Sequence, residues 1–276
     1  MTMTDMVTIV TGGTKGMGLA ISERFAAEGA RVALCSRSEA DSLAVADDLN
    51  RRFGNGKEIA LGLRCDIEVK ADLEALVAST LSRWNKVDAL VCGASTLPWL
   101  GPSLETPDET LDQQFNAVFK SKWWLSNLVI PHMVENGGGA IVYIGSGSVF
   151  EATSERSFYT CARAAEIQLM KNIAAEFGHA NVRCNTISPG MIRSFQTAPI
   201  FDDPVLNRKT ASSFPMQRGG EPEEIAAAAH FLASRESSYT TGCVISVDGG
   251  RIIHARANSL AGVLAANEED QEKGLG

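Results

Sequence analysis

The 276-residue sequence predicts an α/β fold in which one doubly wound parallel sheet of about seven strands carries helices on both faces. Two observations predict it. Seven short, nearly continuous apolar segments recur along the chain, as expected for strands that are covered on both faces. Longer segments with helical periodicity separate them, and this alternation is typical of parallel strands joined by right-handed crossovers.

The strands are expected at residues 7–11, 31–36, 59–65, 89–92, 140–145, 182–188 and 243–247. The helices are expected at residues 17–28, 39–53, 68–84, 111–133 and 159–178. Because no linker, composition break or internal repeat precedes about residue 250, residues 1–256 are expected to form a single domain. The remaining segment, 257–276, has a polar end and is expected to be mobile or to pack on another subunit.

Composition and charge exclude several classes of protein. The formal net charge of −8 disfavours non-specific nucleic-acid binding, which requires a basic surface. No apolar run approaches the roughly 18 residues of a membrane span, and the N-terminus lacks the pattern of a secretory signal. The six cysteines are scattered singly without metal-ligand spacing, and they are expected to be buried free thiols. We therefore expect a cytoplasmic protein without a metal site.

The segment TGGTKGMG, residues 11–18, follows the first strand directly and opens the first helix. Gly12 allows a tight turn, Gly16 lets the backbone approach a phosphate, and Gly18 permits close packing of helix on strand. A pyrophosphate would then lie at the positive end of the helix dipole. This strand–loop–helix context predicts a dinucleotide site in a Rossmann-type fold, in preference to a purely structural turn.

The end of the second strand indicates which dinucleotide is bound. It reads CSRS, residues 35–38, and lacks the acidic residue that would bind a ribose 2′-hydroxyl. Arg37 stands there instead, and Lys15 lies in the glycine loop. Two cations suit a 2′-phosphate, for which arginine offers a bidentate fork. NADP(H) is therefore the expected cofactor, and the alternative is that both cations are solvated surface residues.

Ordered motifs over residues 7 to about 251 resemble those of the short-chain dehydrogenase/reductase family. The glycine segment matches its TGxxxGxG pattern. Ser146 precedes Tyr159 by thirteen positions, as in the serine–tyrosine pair of that family. Further similar segments are CDI (65–67), FNAVF with Asn116, SPGMIRS (188–194), RGGEPEEIA (218–226) and TGCVISVDGG (241–250).

The resemblance implies the residues of the site. Its catalytic group would be Ser146, Tyr159, Arg163 and Asn116. Its cofactor-binding group would be Gly12, Thr14, Lys15, Gly16, Met17, Gly18, Ser36, Arg37, Asp66, Ile67, Gly93, Ala94, Tyr159, Arg163, Pro189, Gly190, Ile192 and Ser194. It also implies a substrate loop at about 191–218 and a homo-oligomer, a tetramer or dimer, that pairs through helices 111–133 and 159–178.

The sequence departs from the family pattern at two places. CGAS, residues 92–95, stands where the family has NNAG, which removes amide side chains but keeps small residues beside the cofactor. Arg163 stands where the family has a lysine four residues after the tyrosine. Arginine can supply the cationic field that a tyrosine of pKa about 10 needs, and it can donate hydrogen bonds to the nicotinamide ribose. It cannot release a proton, so a lysine-based proton relay to Asn116 would be broken or rerouted.

Three functions fit these residues. The favoured one is NADP(H)-dependent interconversion of a ketone or aldehyde and an alcohol, with Tyr159 as general acid/base and Ser146 holding the substrate oxygen. A Ser–Tyr–Arg triad also resembles that of the halohydrin dehalogenases, although the intact phosphate loop would be idle there. A non-catalytic NADP(H)-binding protein is the third. An apolar lining predicts a hydrophobic substrate, and the alternative is that half of its residues pack the loop onto the body. The residues are Trp99, Leu100, Val149, Phe150, Met191, Phe195, Phe201, Phe214 and Met216.

Overall fold

The computed structural model describes residues 2–151 and 155–253, and it contains one seven-stranded sheet with the strand order β3-β2-β1-β4-β5-β6-β7. All neighbouring strands are parallel, which confirms the predicted doubly wound arrangement. The strands are β1 Val7–Thr11, β2 Arg31–Ser36, β3 Ala60–Arg64, β4 Ala89–Cys92, β5 Gly139–Ile144, β6 Val182–Pro189 and β7 Val244–Val247. Residues 257–276, the predicted tail, lie outside the described residues.

Helices connect the strands. They are α1 Gly16–Ala27, α2 Glu39–Phe53, α3 Lys70–Trp84, α4 Asp108–Phe115, α5 Ser121–Glu135, α6 Ser157–Phe177, α7 Ala198–Phe201, α8 Pro204–Ala211 and α9 Pro222–Ala233. The expectation of one uninterrupted helix at 111–133 is wrong, because a π-helical turn, Asn116–Lys120, joins α4 to α5.

Two apolar cores cover the two faces of the sheet. On one face α1 and α9 pack through side chains such as Phe25 and Ile225. On the other face α3, α5 and α6 contribute Leu76, Met133 and Met170, which are all nearly fully buried. Burial on both faces explains why the strands read as continuous apolar segments.

The cysteines follow the expectation only in part. Cys35, Cys65, Cys92 and Cys184 are buried, but Cys161 on α6 is exposed and Cys243 is only partly buried. Among the described residues, no helix is long and apolar enough to span a membrane.

The first turn of α9 contains an ion pair with a predictable pH dependence. The Glu224 carboxylate accepts the Glu221 N–H at 2.8 Å and binds Arg218 at 2.6 and 2.9 Å. Arg218, and then the Glu221 N–H, hold the pKa of Glu224 at about 2, below its ordinary value of 4.5. The ionised Glu224 therefore contributes fully to the free energy of unfolding above pH 4.5, and this contribution is lost as the pH falls from 4.5 towards 2.

Glu224→Gln is expected to lower the free energy of unfolding by about 1 kcal/mol at neutral pH, a value kept small because the pair is partly exposed. Urea unfolding at neutral pH and at about pH 3 measures the difference from the parent, which should shrink in acid. Glu223→Gln in the same turn is the matched control. A Glu224→Gln effect of equal size at both pH values would contradict this assignment.

Candidate functional site

The site begins where β1 and β4 end side by side. The strand order changes direction between these two strands, and ligands of open α/β sheets bind in the crevice at such a point. The Thr11 hydroxyl accepts the Gly93 and Ala94 N–H groups at 3.1 and 3.2 Å, which fixes the two strand ends together. A crevice of about 420 Å³ opens there.

The glycine loop leaves no room for side chains beneath this crevice. Gly12 has a φ of +69°, and a Cβ built on it would lie 3.0 Å from the Ala94 nitrogen. A Cβ on Gly18 would lie 2.1 Å from the Gly12 carbonyl oxygen. Glycine is therefore required at both positions, by conformation at the first and by close approach at the second. A cradle of bare backbone at a helix N-terminus fits the pyrophosphate of a dinucleotide.

The structure brings together part of the predicted cofactor set. Nine of its residues line the crevice: Gly12, Thr14, Lys15, Ser36, Arg37, Asp66, Ile67, Gly93 and Ala94. Ser194 lies beside the glycine loop, since a Cβ on Gly16 would be 3.8 Å from its Cβ. Gly190 and Ile192 instead line a second cavity of about 280 Å³. Pro189 ends β6 beside Val247, and Met17 packs against the core of the α1 face.

Charges of both signs stand at the outer end of the crevice. Arg37 is exposed there, and Lys15 binds Asp41 at 2.8 Å with three-quarters of its side chain exposed. Lys15 lowers the pKa of Asp41. Burial, and then the neighbouring Asp66, raise the pKa of Glu68, whereas Arg37 lowers it by less. Lys15 is thus paired with Asp41, whereas the exposed Arg37 lines the crevice together with Asp66 and Glu68.

The serine–tyrosine pair lies on the segments that follow β5. The Ser146 hydroxyl accepts the Ser148 N–H at 3.3 Å and lies 2.9 Å from the Ser148 hydroxyl, which fixes the serine at a short 3₁₀ turn. Tyr159 is in the first turn of α6 and is partly exposed. The Arg163 guanidinium carbon lies 5.0 Å from the centre of the Tyr159 ring, within cation–π range.

Arg163 is buried, with 4% of its surface exposed. Its Nη1 donates to the Ile144 carbonyl at 2.8 Å and to both Glu166 carboxylate oxygens at 3.2 and 3.1 Å. Its Nη2 donates to the Ser95 hydroxyl at 2.8 Å, and Nε is buried without a partner among the described residues. Most of the guanidinium is therefore used by the protein itself, and a ribose contact stays a prediction.

The two departures from the family pattern are in direct contact, because Ser95 belongs to the CGAS segment and binds Arg163. Ser95 also lines the crevice. The arginine side chain is longer than that of lysine, and the small Ser95 hydroxyl accepts a hydrogen bond from its guanidinium. The two departures from the family pattern are therefore linked by one hydrogen bond.

Sequence reasoning missed two charged residues at the site. Lys122 on α5 and Glu166 on α6 are 1% and 0% exposed, and the Lys122 ammonium forms a buried ion pair with Glu166. Glu166 also binds Arg163, three residues before it on the same helix. A signal was present, because Lys122 lies at helical spacing from the buried Leu125 and Val129.

Burial determines how these charges titrate. Burial, with a smaller contribution from Arg163, lowers the pKa of Lys122 below its ordinary value, and Glu166 offsets only part of this. Burial also lowers the pKa of Arg163, but Glu166 and Tyr159 together raise it by more, so the guanidinium remains charged.

Asn116 opens the π-helical turn, and its carbonyl accepts the Ser121 N–H five residues later. Such turns are frequent at functional sites because they displace one residue from the helix register. The Asn116 side chain is half-buried. Its catalytic role stays a prediction.

The nine residues of the predicted apolar lining divide into three groups by exposure. Phe201 and Phe214 are buried in the body of the protein. Leu100, Phe150, Phe195 and Met216 are exposed. Trp99, Val149 and Met191 are partly exposed, and Met191, Phe214 and Met216 line the second cavity of about 280 Å³.

Comparison with known proteins gives extensive matches. A family model described as enoyl-(acyl carrier protein) reductase matches residues 12–251. The bovine protein named dehydrogenase/reductase SDR family member 4 is 32% identical over 250 residues, which cover 91% of this chain and 88% of that protein. A 2-(R)-hydroxypropyl-CoM dehydrogenase of Xanthobacter autotrophicus is 32% identical over 245 residues, covering 88% of this chain and 97% of the relative.

Solved structures match as well. A short-chain type dehydrogenase/reductase from Mycobacterium ulcerans has a TM-score of 0.87 at 27% identity, covering 92% of each chain. A 7α-hydroxysteroid dehydrogenase complexed with NADH and 7-oxo glycochenodeoxycholic acid has a TM-score of 0.83 at 31% identity, covering 90% of this chain and 94% of that one.

Proposed function

The chain is an oxidoreductase of the short-chain dehydrogenase/reductase family, and from that premise we propose that it interconverts a hydrophobic ketone or aldehyde and the corresponding alcohol with NADP(H). One observation carries the proposal. Ser95 lines the nucleotide crevice and binds Arg163, and Arg163 lies beneath the Tyr159 ring. The tyrosine–arginine pair therefore borders the crevice that the glycine loop forms.

The residues of the crevice would hold the cofactor. Backbone N–H groups of the glycine loop would hold the pyrophosphate, Asp66 and Ile67 would contact the adenine, and Lys15 and Arg37 would bind the 2′-phosphate. When bound, the nicotinamide supplies a hydride to the substrate carbon or accepts one from it.

The protein moves the proton. In reduction Tyr159 donates its hydroxyl proton to the substrate oxygen, and in oxidation it takes that proton back. The Ser146 hydroxyl, whose oxygen accepts the Ser148 N–H, is proposed to donate a hydrogen bond to the same substrate oxygen. Arg163 stabilises the tyrosinate by its charge and takes no part in proton release, because it does not deprotonate. Asn116 stays a proposed member of the site.

The substrate is proposed to be apolar. The side chains of Leu100, Phe150, Phe195 and Met216 are exposed, and they are proposed to supply apolar surface to the substrate. The relatives support a redox role on small molecules by their names, which mention dehydrogenases of different substrates.

The relative affinity for NADPH and NADH tests whether Lys15 and Arg37 bind the 2′-phosphate. NADPH should bind ten- to a hundredfold more tightly than NADH, because a charged hydrogen bond to the 2′-phosphate contributes about 1.5–3 kcal/mol. Arg37→Asp should remove this preference, since a carboxylate repels phosphate and accepts from a 2′-hydroxyl. Fluorescence titration of both nucleotides measures it, with Arg51→Asp on the surface of α2 as a charge-matched control. Equal affinities in the parent would contradict the roles of Arg37 and Lys15.

We also propose a homo-oligomer that pairs through the face formed by α4, α5 and α6. Trp123 and Val134 on α5 are exposed apolar side chains, which are costly in a monomer. Sedimentation should give a multiple of the 29.5 kDa chain mass, and Trp123→Lys should reduce the assembly. A parent particle of a single chain mass in dilute buffer would exclude the oligomer.

A further inference from the structure

Three charged side chains are buried together below Tyr159. Lys122, Arg163 and Glu166 are 1%, 4% and 0% exposed. Two of them are cations and one is an anion, so the cluster carries a formal charge of +1 while Lys122 keeps its proton. Burying an unbalanced charge lowers the free energy of unfolding, so the presence of this charge needs a physical reason.

Glu166 is shared between the two cations. Its Oε2 contacts the Lys122 ammonium and lies 3.1 Å from Arg163 Nη1. An isolated Arg163–Glu166 pair would be neutral, and a neutral pair exerts only a weak field on a neighbouring phenol. The carboxylate that orients Arg163 therefore also cancels its charge.

We propose that Lys122 and Glu166 are positioning residues of the site: Glu166 fixes the Arg163 guanidinium beneath Tyr159, and Lys122 supplies the positive charge that Glu166 cancels. This rests on the proposed role of Tyr159 as the general acid/base. The tyrosine then has one net positive charge near it, delivered by three side chains.

Two other titratable groups face the cluster from β4 and β5, and both are uncharged at neutral pH. Burial raises the pKa of Cys92 on β4 to about 12. Burial also raises the pKa of Tyr143 on β5, whose ring centre lies 5.6 Å from the Lys122 nitrogen, well above its ordinary value. On α6 the facing groups are Arg163, Glu166 and Tyr159 itself. The charge of the cluster therefore depends on Lys122 and on the Glu166–Arg163 pair.

The test reads the ionisation of Tyr159 directly. The chain has three tyrosines, Tyr143, Tyr159 and Tyr239. Tyr239 is fully exposed and is removed by Tyr239→Phe, whereas burial keeps Tyr143 protonated. In this background the ultraviolet absorbance of tyrosinate as a function of pH reports Tyr159, with no substrate and no turnover required.

While Lys122 keeps its proton, its removal in Lys122→Met should raise the pH midpoint of this absorbance change by about one unit, the size expected for loss of a nearby unit charge at an effective dielectric constant of about 20. The Lys122→Met/Glu166→Gln double variant leaves only the Arg163 charge, so its midpoint should return close to that of the parent. Glu166→Gln alone should lower the midpoint. If Glu166→Gln does not fold because two cations are unpaired, Lys122→Met and the double variant are sufficient to test the proposal.

A folded Lys122→Met variant with an unchanged midpoint would overturn the proposal, and so would a double variant that fails to reverse the shift. A purely structural role would lower the melting temperature of Lys122→Met and leave the tyrosinate midpoint in place. Failure of the proposed function is seen separately, as a parent that reduces no carbonyl although its tyrosinate midpoint responds to Lys122→Met. If the parent is active, the pH profile of kcat should shift in the same direction as the absorbance.

Discussion

Tyr159→Phe should lower kcat about a thousandfold and leave NADPH binding nearly unchanged. The variant lacks only the hydroxyl that transfers the proton at the substrate oxygen, an interaction made mainly in the transition state. The phenyl ring keeps its place over Arg163, whose guanidinium carbon lies 5.0 Å from the ring centre. Steady-state rates on a ketone that the parent reduces, together with a fluorescence titration of NADPH, measure the two effects.

Tyr239→Phe is the matched control for this variant, because it removes the same hydroxyl from a fully exposed position remote from the crevice. It should keep the kcat of the parent. A Tyr159→Phe variant with more than about a tenth of that kcat would show that another group moves the proton.

Arg163→Met should lower kcat about a hundredfold, the effect of losing one electrostatic partner at a reacting centre. The neutral Lys122–Glu166 pair that remains stabilises tyrosinate weakly. The Ser95 hydroxyl and the Ile144 carbonyl also lose their donor, so NADPH affinity should fall as the crevice wall relaxes. Rates and NADPH titration are to be read beside thermal unfolding, because removal of one member of a buried charge cluster costs up to about 3–5 kcal/mol.

Arg163→Lys tests whether the site needs only the positive charge of Arg163 or also the geometry of its guanidinium. It preserves the charge of the cluster and restores a residue that can pass protons, so the variant should retain activity within about tenfold of the parent. The shorter side chain cannot reach Ser95, Ile144 and Glu166 together, which accounts for the allowed loss. A folded, NADPH-binding Arg163→Lys variant without activity would mean that Arg163 has a task only a guanidinium can perform, such as a bidentate contact with substrate or cofactor.

The sheet could be predicted from the sequence because each strand is buried on both faces. Segments such as 31–36 and 89–92 are apolar at nearly every position, and the observed strands there have the predicted bounds. The glycine loop was predictable for a related reason: backbone conformation and close contacts leave glycine as the only residue that fits at Gly12 and Gly18.

The π-helical turn was not predictable in the same way. Its apolar periodicity continues through Asn116–Lys120 closely enough to indicate one helix. The break is a change from i→i+4 to i→i+5 hydrogen bonding, and tertiary packing selects it without a proline or glycine to mark it. The position of Gly190 on a second cavity likewise depends on how the loop after β6 folds back on Asp248.

The buried charges were missed because each looks ordinary in its own helix. Lys122 shares its helical spacing with Leu125 and Val129, but a single lysine on such a stripe is ordinarily expected to extend its ammonium to solvent, and Glu166 reads as a common i+3 partner of Arg163. Only the approach of α5 to α6 brings the ammonium and the carboxylate together. Polar pairs across helices depend on tertiary distances, which a single sequence does not contain.

We propose that this chain transfers hydride between NADP(H) and a carbonyl with Tyr159 as the proton donor. The most direct measurement follows NADPH absorbance with a panel of hydrophobic ketones and aldehydes while product alcohol is quantified, with the parent and Tyr159→Phe side by side. We predict that the parent consumes one NADPH for each alcohol formed and that Tyr159→Phe consumes almost none. A parent that binds NADPH but oxidises none across the panel, or that instead releases halide from vicinal halo-alcohols without nucleotide, would contradict this function.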